Sequence, residues 1–276
     1  MSRAGSPSDS NNELQSLMAP VVKLAARLQR AAQEVDAFEV LCEEFATFLP
    51  FQNYIVYVFR DNAPPVLIET NLGLPWLRNR MADYINGLYA LDPFHRLTLE
   101  RTTGLFRMQD IMPEAFLESE YFNHFYHDTS VADEVRYVVR SSPDTSIHVA
   151  IEREGEDSLF NEEEMQILRG LMPLVCAFVE AQQNWERQML QAPASLAPAF
   201  DFRAQIGGLK GGVLTPREID TVELMLKGHS TKSLARVLGI DDGTVANHKR
   251  NIYSKLDVHS AAQLFDLFLR SLTQDS

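Results

Sequence analysis

An α+β fold, with an α/β/α sandwich on an antiparallel sheet followed by an all-α helix-turn-helix domain, is predicted by three features of the 276-residue sequence. Two pairs of β-branched and aromatic runs are each joined by a turn, as in hairpins. Helical periodicity lies before, between and after those pairs. Beyond a Pro-, Ala- and Gly-rich break, the last part of the chain reads as short helices with clear start and stop signals.

Taken in order, "MSRAGSPSDSNNE" reads as a frayed tail over residues 1–10. The stretch "LQSLMAPVVKLAARLQRAAQEVDAFEVLCEEFATFL" carries apolar residues at helical spacing and predicts two helices meeting near Val35 and Asp36. "NYIVYVFR" and "PVLIET", separated by "RDNAPP", predict a first hairpin. A helical middle is expected from Trp76 to Asp128, interrupted at Pro93 and Pro113. "DEVRYVVRS" and "TSIHVAIERE" predict a second hairpin, and a long helix follows, opened by Asn161 as N-cap with carboxylates in its first turn. This gives a sensor or dimerisation domain over residues 11–190, a linker over 191–212 and a helix-turn-helix domain over 213–276.

Composition narrows the function. The chain holds 45% hydrophobic residues, enough for a core in each domain, so a disordered chain is excluded. Its two cysteines, Cys42 and Cys176, make neither a CxxC pair nor a disulfide framework, and no apolar run is long enough for a membrane helix. A cytoplasmic location without membrane attachment is expected. The net charge is −13, but it is unevenly spread: from Lys210 onward nine Lys/Arg face eight Asp/Glu, leaving 16 basic and 30 acidic residues in the first 209. A salt-sensitive electrostatic latch between an acidic first part and the weakly basic second is one reading of that asymmetry.

The C-terminal part carries the sharpest signal. "LTPREIDTVELMLKG" places Thr215 as N-cap, Pro216 at the first helical position and Glu218 as the reciprocal partner of a capping box. A second helix is capped by Ser230 or Thr231 and closed by Gly239, and a third follows from Gly243 to Leu256 without a single acid. Val245, His248, Ile252 and Leu256 form its inward stripe, leaving Ala246, Asn247, Lys249, Arg250 and Ser254 elsewhere on the circumference. In a helix-turn-helix that third helix enters the major groove. Asn can read adenine and Arg guanine by bidentate bonds, whereas Lys249, Lys255 and the hydroxyl of Thr244 suit phosphates. The alternative is a small bundle in which Lys249, Arg250 and Lys255 are merely a solvated face.

The residues "LTPRE", "GHSTKSLA", "LGI", "GTVxxHxxNIYxKL" and "VxSAAQL" resemble the LuxR-type helix-turn-helix domain of bacterial transcription regulators. The resemblance implies that Ala246, Asn247 and Arg250 face bases, that Thr244 and Lys249 contact the backbone, and that the helix from Ser260 to Leu272 pairs two such domains. It also implies double-stranded DNA, a second copy of the chain and RNA polymerase as partners. The chain departs from the family at Asp241, Asp242 and Gly243, where a small or basic lead-in is frequent, and at Asp257, where Gly is usual.

Upstream, Trp76, Tyr84 and Tyr89, followed by Asp92-Pro93, resemble the aromatic ladder and Asp-Pro step of the acyl-homoserine-lactone-binding domains that precede LuxR-type domains. The resemblance implies a small-molecule effector walled by these aromatics, with Asp92 accepting an amide proton, and Tyr57 is a further candidate for the wall. Family members usually carry a Trp shortly after that step, where this chain has Arg107 or Met108, and the later portion is similar to GAF-like sensor domains. Two plainer readings stand beside it: Tyr84, Leu88 and Leu91 as core, and Asp92 as a cap for the next helix. His124, His127 and Asp128 cluster within one turn, but no further metal-ligand pattern accompanies them. No P-loop, GxSxG or dinucleotide fingerprint is present, and the helical start does not fit a phosphorylated receiver domain. A DNA-binding regulator, not an enzyme and with no cofactor, is therefore expected. Its first domain would bind an effector or serve only dimerisation or a protein partner.

Overall fold

The computed structural model describes residues 7–32, 34, 36–61, 63–73, 81–126, 131–155, 158–182 and 200–274. The chain divides into two compact units, one of residues 1–50 and 163–194 and the other of 51–162 and 195–276. Helices α1 (Pro7–Ala31) and α2 (Ala37–Ala46) belong to the first unit, so the break falls near Asp36 as the periodicity predicts. Helix α1 begins inside the stretch expected to fray. Arg27 joins the two helices through Glu44 at 2.5 Å, and Phe38 meets Phe178 edge-on at 5.5 Å. Phe178 lies on the later helix, Glu162–Ala181, which starts directly after Asn161.

The second unit is built on an antiparallel sheet of order β2-β1-β5-β4-β3, with β1 (Asn53–Arg60), β2 (Ala63–Thr70), β3 (Gly104–Arg107), β4 (Val131–Ser142) and β5 (Thr145–Glu154). Both expected hairpins form. Strand β3 falls inside the stretch expected to be helical, and the rest of that stretch breaks into short turns of helix: α3 (Ala82–Ile85), α4 (His95–Leu99), α5 (Met108–Ile111) and α6 (Glu120–Phe125). The long helix after β5 is α7.

Register sorts the sheet residues into two faces, because residues directly opposite across an antiparallel pair project the same way. One face is apolar and buried, with Val56, Val58, Val135, Tyr137, Val139, Ile147, Val149 and Ile151. The other carries Ile55, Tyr57 and Phe59 on β1 but Glu134, Arg136, His148 and Glu152 on the two inner strands, all equally buried. The short helices cover this second face: Thr98 Oγ1 lies 3.0 Å from His148 Nε2, and the rings of Tyr57 and Tyr84 are 5.2 Å apart.

From residue 200 the chain runs through α8 (Phe202–Gly208), α9 (Pro216–Leu226), α10 (Thr231–Leu238), α11 (Asp242–Leu256) and α12 (Ala261–Gln274). Part of the segment read as linker is therefore helical. Asp201 caps α8 by accepting from Ala204 N at 2.9 Å, and Phe202, Ile206 and Leu209 are buried at i, i+4 and i+7. Phe202 packs edge-on against Phe268 of α12 at 5.3 Å. One apolar cluster runs from Phe116, Tyr121 and Phe125 into Val222, Leu226, Phe265 and Phe268. At that junction Gly228 (φ +82°) approaches so closely that a Cβ there would lie 2.8 Å from Phe116 Cα. Ser230 Oγ donates to Glu114 Oε2 at 3.2 Å, and the His124 and Phe265 rings are 5.9 Å apart. The junction is apolar in the main.

Helix α11 ends at Asp257, which holds φ +53° in place of the more usual glycine. A Cβ in the left-handed region is strained, less for Asp than for most residues. Asp257→Gly is expected to raise the unfolding free energy of the full chain by about 1 kcal/mol, read from urea denaturation, with no change in secondary structure.

Candidate functional site

The DNA-reading element is shaped by its caps. Thr215 and Glu218 form the expected capping box at the start of α9. Ser230 caps α10 through Ser233 N at 3.2 Å, and Gly239 (φ +66°) ends it. Asp241 caps α11, accepting from Thr244 N at 2.9 Å and Thr244 Oγ1 at 2.5 Å. Those bonds from Thr244 hold its carboxyl below the usual range, so the acid that departs from the family pattern is employed in starting the helix. Leu234 and Ala235 of α10 pack on Val245 of α11, which fixes the angle between the two helices.

Val245, Ile252 and Leu256 are fully buried and His248 half-buried, while Ala246, Asn247 and Arg250 are exposed and Thr244 and Lys249 half-exposed. Arg250 Nη1 donates to Asn247 Oδ1 at 3.2 Å, so the two residues expected to read bases already lie side by side. Lys255 stands apart from them. Its Nζ meets Glu218 Oε2 at 2.7 Å, tying α11 to the capping box of α9.

In the sheet-containing half, Asp92 and Arg136 organise the centre. Asp92 Oδ2 accepts from Tyr84 OH at 2.6 Å and from Arg136 Nη1 at 2.8 Å, and Oδ1 accepts from Phe94 N at 2.8 Å. Asp92 is thus a cap for the following turn and an ion-pair partner together. Arg136 also donates through Nε to Glu134, whose other oxygen accepts from Tyr126 OH at 2.7 Å. The guanidinium lies 4.1 Å from the centre of the Phe94 ring and 5.8 Å from that of Tyr57. Burial alone would weaken its hold on the proton, but Asp92 and Glu134 outweigh that and keep it charged. Burial raises Tyr57 and Tyr84 far above the ordinary phenol range and pushes Tyr89 up to about 12, so all three stay neutral donors.

The void among Tyr57, Tyr84, Tyr121, Tyr126 and Arg136 measures about 30 Å³, room for one water. Of the sequence-derived ligand residues, Tyr57 and Tyr84 line this void, Asp92 is bonded to Tyr84 and Arg136, Tyr89 sits beside Tyr84 at 6.4 Å, and Trp76 lies outside the described residues. Arg107, at the place of the family Trp, is bonded to Asp133 Oδ2 at 2.8 Å, and Met108 is buried. His124 Nε2 lies 3.1 Å from Asp83 Oδ2, while His127 and Asp128 lie outside the described residues. Among the described residues no group of three metal-ligating side chains occurs. Arg136, Glu134 and Tyr126 were not anticipated. The signal was available in "DEVRYVVR", where period 2 puts two charges on one face of an inner strand.

Glu152 faces the same void, and burial, reinforced by Glu134, pushes its carboxyl up to about 8 against the pull of Arg136. A carboxyl raised in the folded state favours folding while the unfolded chain is also protonated. That contribution is lost as pH rises from about 4.5 to about 8, by up to about 1.4 kcal/mol per pH unit. Glu152→Gln should flatten this decline, seen as a smaller fall in unfolding free energy between pH 5 and 8 than in the parent chain.

Comparison with known proteins places these features in a family. Residues 212–268 match the family described as bacterial regulatory proteins, luxR family. The HTH-type transcriptional regulator assigned to the exeN 3'region of Aeromonas salmonicida is 32% identical over 162 residues, covering 56% of this chain and 82% of that protein. The nitrate/nitrite response regulator protein NarP of Escherichia coli K12 is 43% identical over 58 residues, 21% of this chain and 27% of its own length. Among solved structures, the LBD domain of VqsR from Pseudomonas aeruginosa superposes with a TM-score of 0.51 at 25% identity, covering 60% of this chain and 96% of that one. Among the described residues no helix is long and apolar enough to cross a membrane. With a capped helix-turn-helix, an exposed Asn-Arg face and a relative matched over most of its length, the chain belongs to the LuxR family of bacterial regulatory proteins and is a DNA-binding transcription regulator.

Proposed function

We propose that the protein acts in the cytoplasm as a homodimer on a near-palindromic DNA site, with α11 of each copy in the major groove. The surface of α11, exposed at Ala246, Asn247 and Arg250 and without an acid from Gly243 to Leu256, supports this reading. Ala246, Asn247 and Arg250 would meet base edges, with Lys249 and Thr244 at the phosphates, and RNA polymerase would be a downstream partner. A functional unit over residues 213–276 preceded by a sensor or dimerisation unit over 11–190 fits this assignment. The helix from Phe202 is best taken with the DNA-binding part, since Arg203 reaches Asp220 at 2.6 Å and Glu223 at 2.8 Å.

Control by a small molecule on the N-terminal part would act as a population shift, altering how two α11 helices are spaced. A second reading is favoured by one observation: around Asp92 the protein supplies its own cation and donors. Arg136 and Tyr84 occupy the oxygen that an effector amide would need, and the void lined by Tyr57, Tyr84 and Arg136 is of water size. In that reading the Asp92 centre is structural, and the first part serves dimerisation or a protein partner.

Arg250→Ala is expected to cost about 1–3 kcal/mol on the preferred operator and to relax base preference at one position. Lys249→Ala should weaken all sequences alike and lower the salt slope by about 1. Fluorescence-anisotropy titrations of operator and scrambled duplexes across a salt series check both. Equal operator selectivity in parent and Arg250→Ala would remove α11 from the groove.

A further inference from the structure

We propose that a second cavity, of about 600 Å³ and distinct from the water-sized void beside Tyr57 and Arg136, is an effector site for a small organic acid with an apolar or aromatic body and a hydroxyl or amine donor. Its size falls within the roughly 300–1,000 Å³ typical of small-molecule pockets. The walls come from the Tyr89–Pro113 segment and from Phe200 to His229, so an occupant would touch both the sensor helices and the approach to the helix-turn-helix.

The apolar side is supplied by Tyr89, Leu99, Met112 and Phe200. Leu99 is 57% exposed, which leaves a large aliphatic side chain without cover. Phe200 is seated over Gly87, where a Cβ would lie 2.5 Å from its ring, and 6.0 Å from the Tyr89 ring, so this wall is anchored. An alkyl or aromatic body laid here removes apolar surface from water.

The preference for an anion follows from the cations that remain under-used. Arg96 meets Glu100 through Nε alone, at 3.5 Å, and its terminal nitrogens have no partner among the described residues. Lys227 gives one bond to Glu223 at 2.8 Å and keeps two further donors. Arg96 on α4 and Lys227 at the end of α9 converge on His229, which burial and then these two charges hold below its usual pKa. His95 is likewise lowered, to about 4, by burial first and by Lys227, against the opposite pull of Asp92. Both imidazoles are neutral at physiological pH. The His95 ring nitrogens have no hydrogen-bond partner among the described residues, so the ring offers a donor and an acceptor.

Most lining acids are already engaged. Glu223 accepts from Arg203 and Lys227, Asp201 caps α8, and Asp92 faces Arg136. Asp61 differs: its Oδ1 is buried without a hydrogen-bond partner, while Oδ2 meets Arg101 only at 3.5 Å. An orphan buried carboxylate oxygen is costly and calls for a donor, which the ligand's hydroxyl or amine provides. A carboxylate between Arg96 and Lys227, an apolar body along Tyr89 and Phe200 and a donor at Asp61 satisfy the three kinds of group that the cavity leaves open.

The test uses the full chain without DNA, so its outcome does not depend on how α11 reads an operator. Isothermal titration is run with 4-hydroxyphenylacetate, tyrosine, indole-3-acetate and octanoate, and with 4-hydroxyphenylacetamide as the uncharged counterpart. The expected result is saturable binding of at least one acid, about tenfold weaker binding of the amide, and a further loss of about tenfold in Arg96→Gln and in Lys227→Gln. Asp61→Asn should weaken the hydroxylated or amino acids and spare octanoate. No acid binding below about 1 mM would overturn the proposal. So would amide binding as tight as the acid's, or acid binding untouched in both cation variants. Far-UV circular dichroism of each variant shows that the lost binding is not lost folding.

Discussion

A guanidinium buried on the inner face of an antiparallel sheet governs the sheet-containing half of this protein. Arg136 cannot shed its proton and cannot reach water, so the surrounding structure has to bring carboxylates to it. Glu134 arrives from the same strand by period-2 alternation, but Asp92 must be delivered from a turn far away in sequence. That demand fixes the Leu88–Phe94 turn against the sheet. It also orients Tyr84 and Tyr126 as donors and places Phe94 under the cation. Removing one partner of such a cluster would strand the others; breaking buried pairs of this kind typically costs about 3–5 kcal/mol. The polar centre is therefore weak evidence for stability in itself and strong evidence for a single allowed arrangement of the short helices over the sheet.

The same cluster explains why the aromatic residues look like a ligand box in the sequence and pack like a core in the structure. Tyr57, Tyr84 and Asp92 do converge, and Arg136 joins them as an internal cation bonded to Asp92. Three carboxyl groups, Asp92, Glu134 and Glu152, share that one cation, and burial raises the carboxyls of Glu134 and Glu152 against its pull. The open volume lies instead where Tyr89 and Arg96 look toward Phe200 and Lys227.

Legibility followed the range of the interactions. The capping box at Thr215, the stop at Gly239 and the inward stripe of α11 depend on residues within one or two turns, and the sequence shows each of them directly. The β1–β2 and β4–β5 hairpins announce themselves through β-branched runs and turn residues. Strand β3 did not, because its four half-buried residues pair only with β4 and have no alternation of their own. Helix α8 was masked by Gly207 and Gly208, which read as linker although Phe202, Ile206 and Leu209 sit on one buried face. The Asp92–Arg136 pair spans 44 residues, and no local pattern announces which carboxylate a buried arginine will find. The ion pair of Lys255 with Glu218 was equally hidden, because the two residues belong to different helices.

The way α8 is embedded bears on how far this regulator is modular. Phe202 packs on Phe268, and Gln205 Nε2 reaches the carbonyl of Ser271 at 2.9 Å, so α8 closes the base of the C-terminal helices. A boundary drawn at the helix-turn-helix motif would cut through that core, leaving Phe268 and the start of α9 uncovered. Exchange of DNA-binding parts between relatives would thus have its natural seam before Asp201, so that the short helix travels with the motif it supports.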